Sequence, residues 1–168
     1  MAREKAAKAA ALAISALTII LCVGFDASAD RVGLYPGALF VNRFTYHFFH
    51  VSFLHVLMNA WCLLSVVFLY DISWLTLLGA FLMAASFPVD SLSVILPCAF
   101  SLPTIGLSGV CYALMGRIAF MTERKIYYQL WLWFYIALGF AFPNVNGWLH
   151  LYCYLVGLFI GFLNKPLP

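Results

Sequence analysis

Gly106-Leu107-Ser108-Gly109-Val110-Cys111-Tyr112-Ala113-Leu114-Met115-Gly116 opens an apolar span on a polar, glycine-flanked turn. Another apolar span carries a histidine, His150, near its head. A serine in hydrocarbon is ordinary, because Gly and Ser both serve close helix packing in membranes. One intramembrane histidine is ordinary too. A Gly-x-Ser-Gly turn and a histidine at one depth and one membrane face read instead as a nucleophile and its base.

Composition sets the class around that stretch. The 168 residues are 65% hydrophobic and only 9% charged, where a soluble domain carries roughly 25% charged residues. The chain is therefore expected to be an all-α, multi-pass membrane protein forming a single domain over residues 1–168. The net charge of +3 comes from short clusters, with no basic run that would suit nucleic acid. Cys22, Cys62, Cys98, Cys111 and Cys153 stand singly, without a CxxC, and read as small packing residues.

Six apolar spans are predicted, over residues 6–25, 53–70, 74–87, 108–121, 126–142 and 148–163. Several fall short of the ~20 residues of a full crossing, as suits helices that stop inside a bundle. Pro88 interrupts the third, and residues 89–105, with Pro97 and Pro103, read as a loop or a re-entrant turn. Residues 26–52 are too long and too apolar for a plain connector, and 34–40 suit the interface. Arg3, Lys5 and Lys8 before the first span, with Ala27-Ser28-Ala29 after it, also resemble a signal peptide. The length of the apolar stretch favours a retained span.

Basic residues give the orientation. With six spans and the N-terminus in the cytoplasm, Arg3, Lys5, Lys8, Arg117, Arg124, Lys125 and Lys165 lie inside, and only Arg31 and Arg43 outside. Both termini are thus expected in the cytoplasm. Spans two, four and six then run from outside to inside. Ser108 and His150 each precede the inner boundary of their span by fourteen residues, about 21 Å of helix. In a core about 30 Å thick both sit near the outer face. His55 falls at a similar height, with Asn59 one turn deeper.

That layer has the parts of an acyl-transfer site. An imidazole takes the serine proton and later returns it to a leaving amine. The Asn59 amide, the His55 imidazole and the Ser108 backbone N–H can face an oxyanion. Gly106 and Gly109 allow a tight turn and close helix approach. Tyr112, one turn below Ser108, can stack on the imidazole. No carboxylate completes a triad: Asp26, Asp30 and Asp90 fall in outer loops, Asp71 and Glu123 at the inner end. A Ser108–His150 dyad is expected.

Other patterns have simpler readings. His47 and His50 lie near His55, but without a carboxylate or an HExxH they read as loop residues at the interface. No metal is expected. Tyr127, Tyr128, Trp131 and Trp133 read as lipid-facing bulk and belt residues. Gly157 and Gly161 have the spacing of close packing within the bundle. Glu123-Arg124-Lys125 reads as an inner turn near lipid headgroups.

Residues 43–59, Arg43 to Asn59, resemble the first loop and second helix of the rhomboid intramembrane serine proteases. Gly106 to Gly116 is very similar to the nucleophile helix of that family. His150 followed by Gly157 and Gly161 is similar to its last helix. The resemblance covers most of residues 43–163. It implies a six-transmembrane-helix rhomboid-like bundle with a short central nucleophile helix. It further implies cleavage of single-span membrane proteins near the outer face through an acyl-enzyme, and no cofactor. Ser108 would be nucleophile and His150 base. His55, Asn59 and Gly106 would lie on the oxyanion and substrate side, with Tyr112 and Gly109 in support.

The chain departs from the family pattern at three places. Asn42-Arg43 stands where Trp-Arg is frequent. Cys153 stands where glycine is common, three residues after the last-helix histidine. The connection after the second helix is reduced to Tyr70-Asp71-Ile72-Ser73. The alternative reading is a catalytically inactive rhomboid-like protein that binds membrane helices. Membrane lipids are expected partners, nucleic acid is not, and small size favours a bacterial inner membrane.

Overall fold

The computed structural model describes residues 2–142 and 144–164. Lys165, counted above among the inner basic residues, lies outside the described residues. Six main helices carry the structure: α1 (Ala2–Gly24), α2 (Phe53–Leu69), α3 (Trp74–Ala85), α4 (Ser108–Ile118), α5 (Lys125–Ala141) and α6 (Gly147–Leu163). Among the described residues no β-strand forms; one isolated bridge pairs Leu34 with Thr104.

Three helix starts carry a short polar side chain that accepts a free N–H of the first turn. Ser52 Oγ accepts from His55 N at 3.2 Å, Ser73 Oγ from Thr76 N at 3.2 Å, and Asn146 Oδ1 from Leu149 N at 2.9 Å. Pro88 stops α3, as its missing N–H and fixed φ require. The chain then resumes as a short helix, Val89–Ile95, and a 3-10 turn, Pro97–Phe100. Residues 89–105, expected as a loop or a re-entrant turn, thus contain two short helical pieces. Arg43 supports the break: its Nη1 donates to the carbonyls of Ala85 at 3.3 Å and Phe87 at 2.8 Å, and its Nη2 pairs with Asp90 at 2.6 Å. Carbonyls freed at a helix end are met by a cation, the charge that end favours.

The reduced connection between α2 and α3 is closed by Asp71 in the left-handed region, φ 47°. Lys8 on α1 pairs with Asp71 at 2.8 Å and lies over the Phe68 ring. The Lys8 ammonium, by its hydrogen bond first and its charge second, holds the Asp71 carboxyl below the usual carboxylate range.

Alanines are frequent inside, among large side chains such as Tyr46, Phe87 and Tyr154, and large apolar residues cover the outside. Ala7, Ala11, Ala80, Ala84 and Ala113 are fully buried, while Trp61, Leu69 and Ile126 are each more than 70% exposed. Such a surface suits lipid rather than water. Among the described residues two helices are long and apolar enough to cross a membrane: Arg3–Gly24 and Trp74–Ile95, the second containing the Pro88 break. A third arises if Asn42–Phe48 and Phe53–Leu69, bent by 98°, count as one span. The chain is an integral membrane protein.

α4 is short, at 11 residues, and central: it packs on α6 most extensively, and also on α3 and α2. Glycines set the α4–α6 spacing. A Cβ on Gly157 would collide with the Ala113 carbonyl, one on Gly116 with the Tyr154 carbonyl, and one on Gly161 would lie 2.7 Å from the Arg117 carbonyl. Gly157 and Gly161 thus serve packing within the chain. The expected fourth span reached residue 121; the helix ends at Ile118 and gives way to turns.

Candidate active site

The N-terminal ends of α2, α4 and α6 meet around one cavity of about 700 Å3, lined by His55, Asn59, Ser108 and His150 among others. Ser108 Oγ lies 2.9 Å from His150 Nε2, within hydrogen-bond distance. Ser108 is the first residue of α4, so its own N–H has no intrahelical acceptor. His150 sits one turn into α6 and is 8% exposed. The Tyr112 ring stacks on the imidazole, centroids 4.3 Å apart and planes inclined by 21°. His150 Nδ1 has no hydrogen-bond partner among the described residues. No carboxylate orients this histidine; the ring is held by Tyr112 and by burial.

His55 and Asn59 project from the first turns of α2 toward the same place. A Cβ on Gly106 would lie 2.8 Å from His55 Cε1 and 3.6 Å from Asn59 Nδ2. Gly106 adopts φ +129°, a conformation that L side chains rarely enter, so glycine is needed here twice over. Its N–H donates to the Tyr46 carbonyl at 2.8 Å, which fixes the turn ahead of Ser108. Asn59 is buried, and its Nδ2 has no partner among the described residues. A buried, unmet amide donor beside a hydroxyl is costly unless something else accepts from it. Below this layer the Cys111 thiol donates to the Asn59 carbonyl at 3.5 Å, tying α4 to α2.

The structure therefore brings Ser108, His150, His55, Asn59, Gly106 and Tyr112 together. Gly109 faces away from the cavity: a Cβ there would meet Ala84, Cys153 Sγ and Leu149 at 3.2–3.4 Å. The thiol of Cys153 fills the space that Gly109 leaves. A larger residue on α6 is matched by a missing side chain on α4, so the two helices stay close.

His47 and His50 lie in the connection before α2, and each has a more specific place than a surface loop residue. His47 is 1% exposed, tilted on the Tyr46 ring at 3.9 Å and edge-on to Phe81 at 5.3 Å. His50 Nε2 accepts from Leu107 N at 3.2 Å, so it holds the turn immediately before Ser108. Asn42 is buried and donates to the carbonyls of Arg31 at 3.2 Å and Gly33 at 2.9 Å. It anchors the long first loop to itself. Asn146 and Thr104 were not singled out in the sequence, although both line the cavity and bond at 2.8 Å. Asn146-Gly147 before an apolar run is a helix-start signal, but its partner forty-two residues away leaves no local mark.

Among the described residues no group of three or more His, Cys, Asp or Glu side chains is placed to hold a metal ion. A neutral imidazole at 2.9 Å from a serine hydroxyl can accept its proton as the oxygen attacks a carbonyl. A family model described as Rhomboid domain matches residues 38–166. No curated protein matches the chain. The matched range takes in every residue of the cavity layer named above.

Proposed function

Because the chain belongs to the rhomboid family, we propose that it is an intramembrane serine endopeptidase acting on single-span membrane proteins. The rhomboid family is in general one of intramembrane serine proteases, and it also contains inactive homologues. The observation that carries the reading is the 2.9 Å contact between Ser108 Oγ and His150 Nε2.

Ser108 Oγ attacks the scissile carbonyl while His150 Nε2 takes its proton. The carbonyl oxygen becomes an oxyanion, met by the Asn59 amide, the His55 ring and the Ser108 N–H. His150 then gives the proton to the leaving amine, and an acyl-enzyme on Ser108 remains. Water, deprotonated by the same imidazole, releases the second product. The dyad works without a carboxylate because Tyr112 stacking and close helix packing hold the ring.

The geometry favours an unwound substrate. A helical backbone keeps its carbonyls in hydrogen bonds, so the upper end of a substrate helix must open before attack. Substrates with helix-weakening residues near the outer face are preferred. The substrate enters laterally, near α2 and α5. The bundle is a single domain that crosses the membrane six times, with both termini in the cytoplasm and the cavity open to the outside. Seven inner basic residues against two outer ones support that orientation. The proposed location is a bacterial inner membrane, no cofactor is required, and lipids surround the apolar faces.

The test is labelling of the detergent-purified protein by a fluorophosphonate, with cleavage of a model single-span substrate beside it. The parent labels and cleaves; Ser108→Ala and His150→Ala do neither. A well-folded parent that neither labels nor cleaves would leave an inactive member that binds membrane helices.

A further inference from the structure

The two helices that carry the dyad begin on separate stretches of chain, and one side chain joins their starts. Asn146 is the cap of α6: its Oδ1 accepts from Leu149 N at 2.9 Å, and its backbone carbonyl accepts from His150 N at 3.2 Å. From the same amide, Nδ2 donates to Thr104 Oγ1 at 2.8 Å. Thr104 stands one helical turn's worth of residues ahead of Ser108. It is itself pinned, because its N–H and carbonyl both bond Leu34, each at 2.9 Å. The segment carrying Ser108 is thus held against the first loop on one side and against the head of α6 on the other.

Resting on the protease reading, we propose that Asn146 is a positioning residue: through Thr104 it sets the distance between Ser108 and His150. The glycine seam fixes how close α4 and α6 run below the site. It leaves the axial register of the two helix heads, above the last tight contact, to other groups. Asn146 is the side chain that supplies a directed bond there. Both of its ends are engaged, so the amide cannot rotate without losing either the cap or the Thr104 bond. A displacement of about 1 Å at a reacting pair can cost about a hundredfold in rate, so one bond at this place has leverage over the chemistry.

The test uses the full chain with Asn146→Ser and Thr104→Val, singly and together. Serine keeps a cap oxygen but is too short to reach Thr104. Valine keeps the shape of Thr104 and removes its acceptor. Each single variant is expected to lower the rate of fluorophosphonate labelling by about tenfold, and kcat for substrate cleavage likewise, with KM unchanged. The double variant should be no slower than the worse single one, because both remove the same bond. Parental labelling rates in the singles, a rise confined to KM, or losses that multiply in the double would overturn the proposal. If the parent itself does not label, the protease reading falls. The positioning role is then read from the 15N resonance of His150 Nε2. That resonance should move toward the value of an unbonded ring in both variants, and its standing still would overturn the role.

Discussion

Where α4 meets α6 the spacing is set by glycines; where α5 meets α6 it is set by aromatic rings. In the first seam, backbone faces backbone at Gly116, Gly157 and Gly161, with no side chain between to deform. In the second, Trp133 packs edge-on against Tyr154 at 5.7 Å and Phe140 against Trp148 at 5.1 Å, while Tyr154 Oη donates to Gln129 Oε1 at 3.0 Å. Only Leu132, Ile136 and Gly139 of α5 are buried. A backbone seam has one permitted distance, whereas rings can slide and turn. The dyad straddles the rigid seam, and the lateral opening proposed for substrate borders the adaptable one. Under the proposed function, one bundle serves both precision and access by dividing them between two faces of α6.

That contrast can be broken most directly at Gly157. Gly157→Val drives a branched side chain into Ala113 and should reduce fluorophosphonate labelling by more than about a hundredfold, with a lower melting temperature. A labelled, stable Gly157→Val protein would mean the seam is not rigid. Arg43→Gln should rank next. It removes the cation from the Ala85 and Phe87 carbonyls and from Asp90, and should cost about 1–3 kcal/mol in a denaturation series. Cys153→Gly sharpens the comparison, since it empties the space opposite Gly109 without touching the backbone contacts. A loss of about 1–2 kcal/mol is expected, with labelling within about threefold of the parent. A large gain in labelling would show that the thiol holds the helices apart.

Smaller effects are expected on the adaptable side. Trp131→Ala on the lipid face of α5 should change stability by less than about 0.5 kcal/mol and labelling by less than about twofold. The smallest effect lies at the Lys8–Asp71 pair. The Asp71 carboxyl titrates below its unfolded value of about 3.9, so its contribution is complete above that pH and fades as the pH falls through the lower folded value. Asp71→Asn, which tolerates the left-handed turn, should abolish that acid-side slope while lowering the melting temperature only slightly.

How much of this was legible depended on the range over which each residue acts. The helices followed from apolar runs with Pro88 as punctuation, because proline acts within a few residues of itself. The layer of His55, Asn59, Ser108 and His150 followed from counting helical rise along spans of fixed direction. Val89–Ile95 was hidden because two flanking prolines mask about two turns of helix. His50 and Asn146 were hidden for another reason. Each works on a partner far along the chain, Leu107 and Thr104, and neither bond leaves a period or a spacing in the sequence. The role of Gly109 as the counterpart of Cys153 was likewise invisible, since complementarity across a helix seam appears only once the two faces are opposed.

The order of the two dyad residues along the chain has a consequence for biosynthesis. The hydroxyl of Ser108 precedes the imidazole of His150 by 42 residues. At translation speeds of about 5–20 residues per second, the serine is made a few seconds before its base exists. Through that interval the hydroxyl on α4 has no imidazole beside it and is no more nucleophilic than any other. Under the proposed function, reactivity switches on only when α6 docks along the glycine seam. On the protease reading, a newly made chain therefore passes through the insertion machinery, itself built of membrane helices, without the means to cut it.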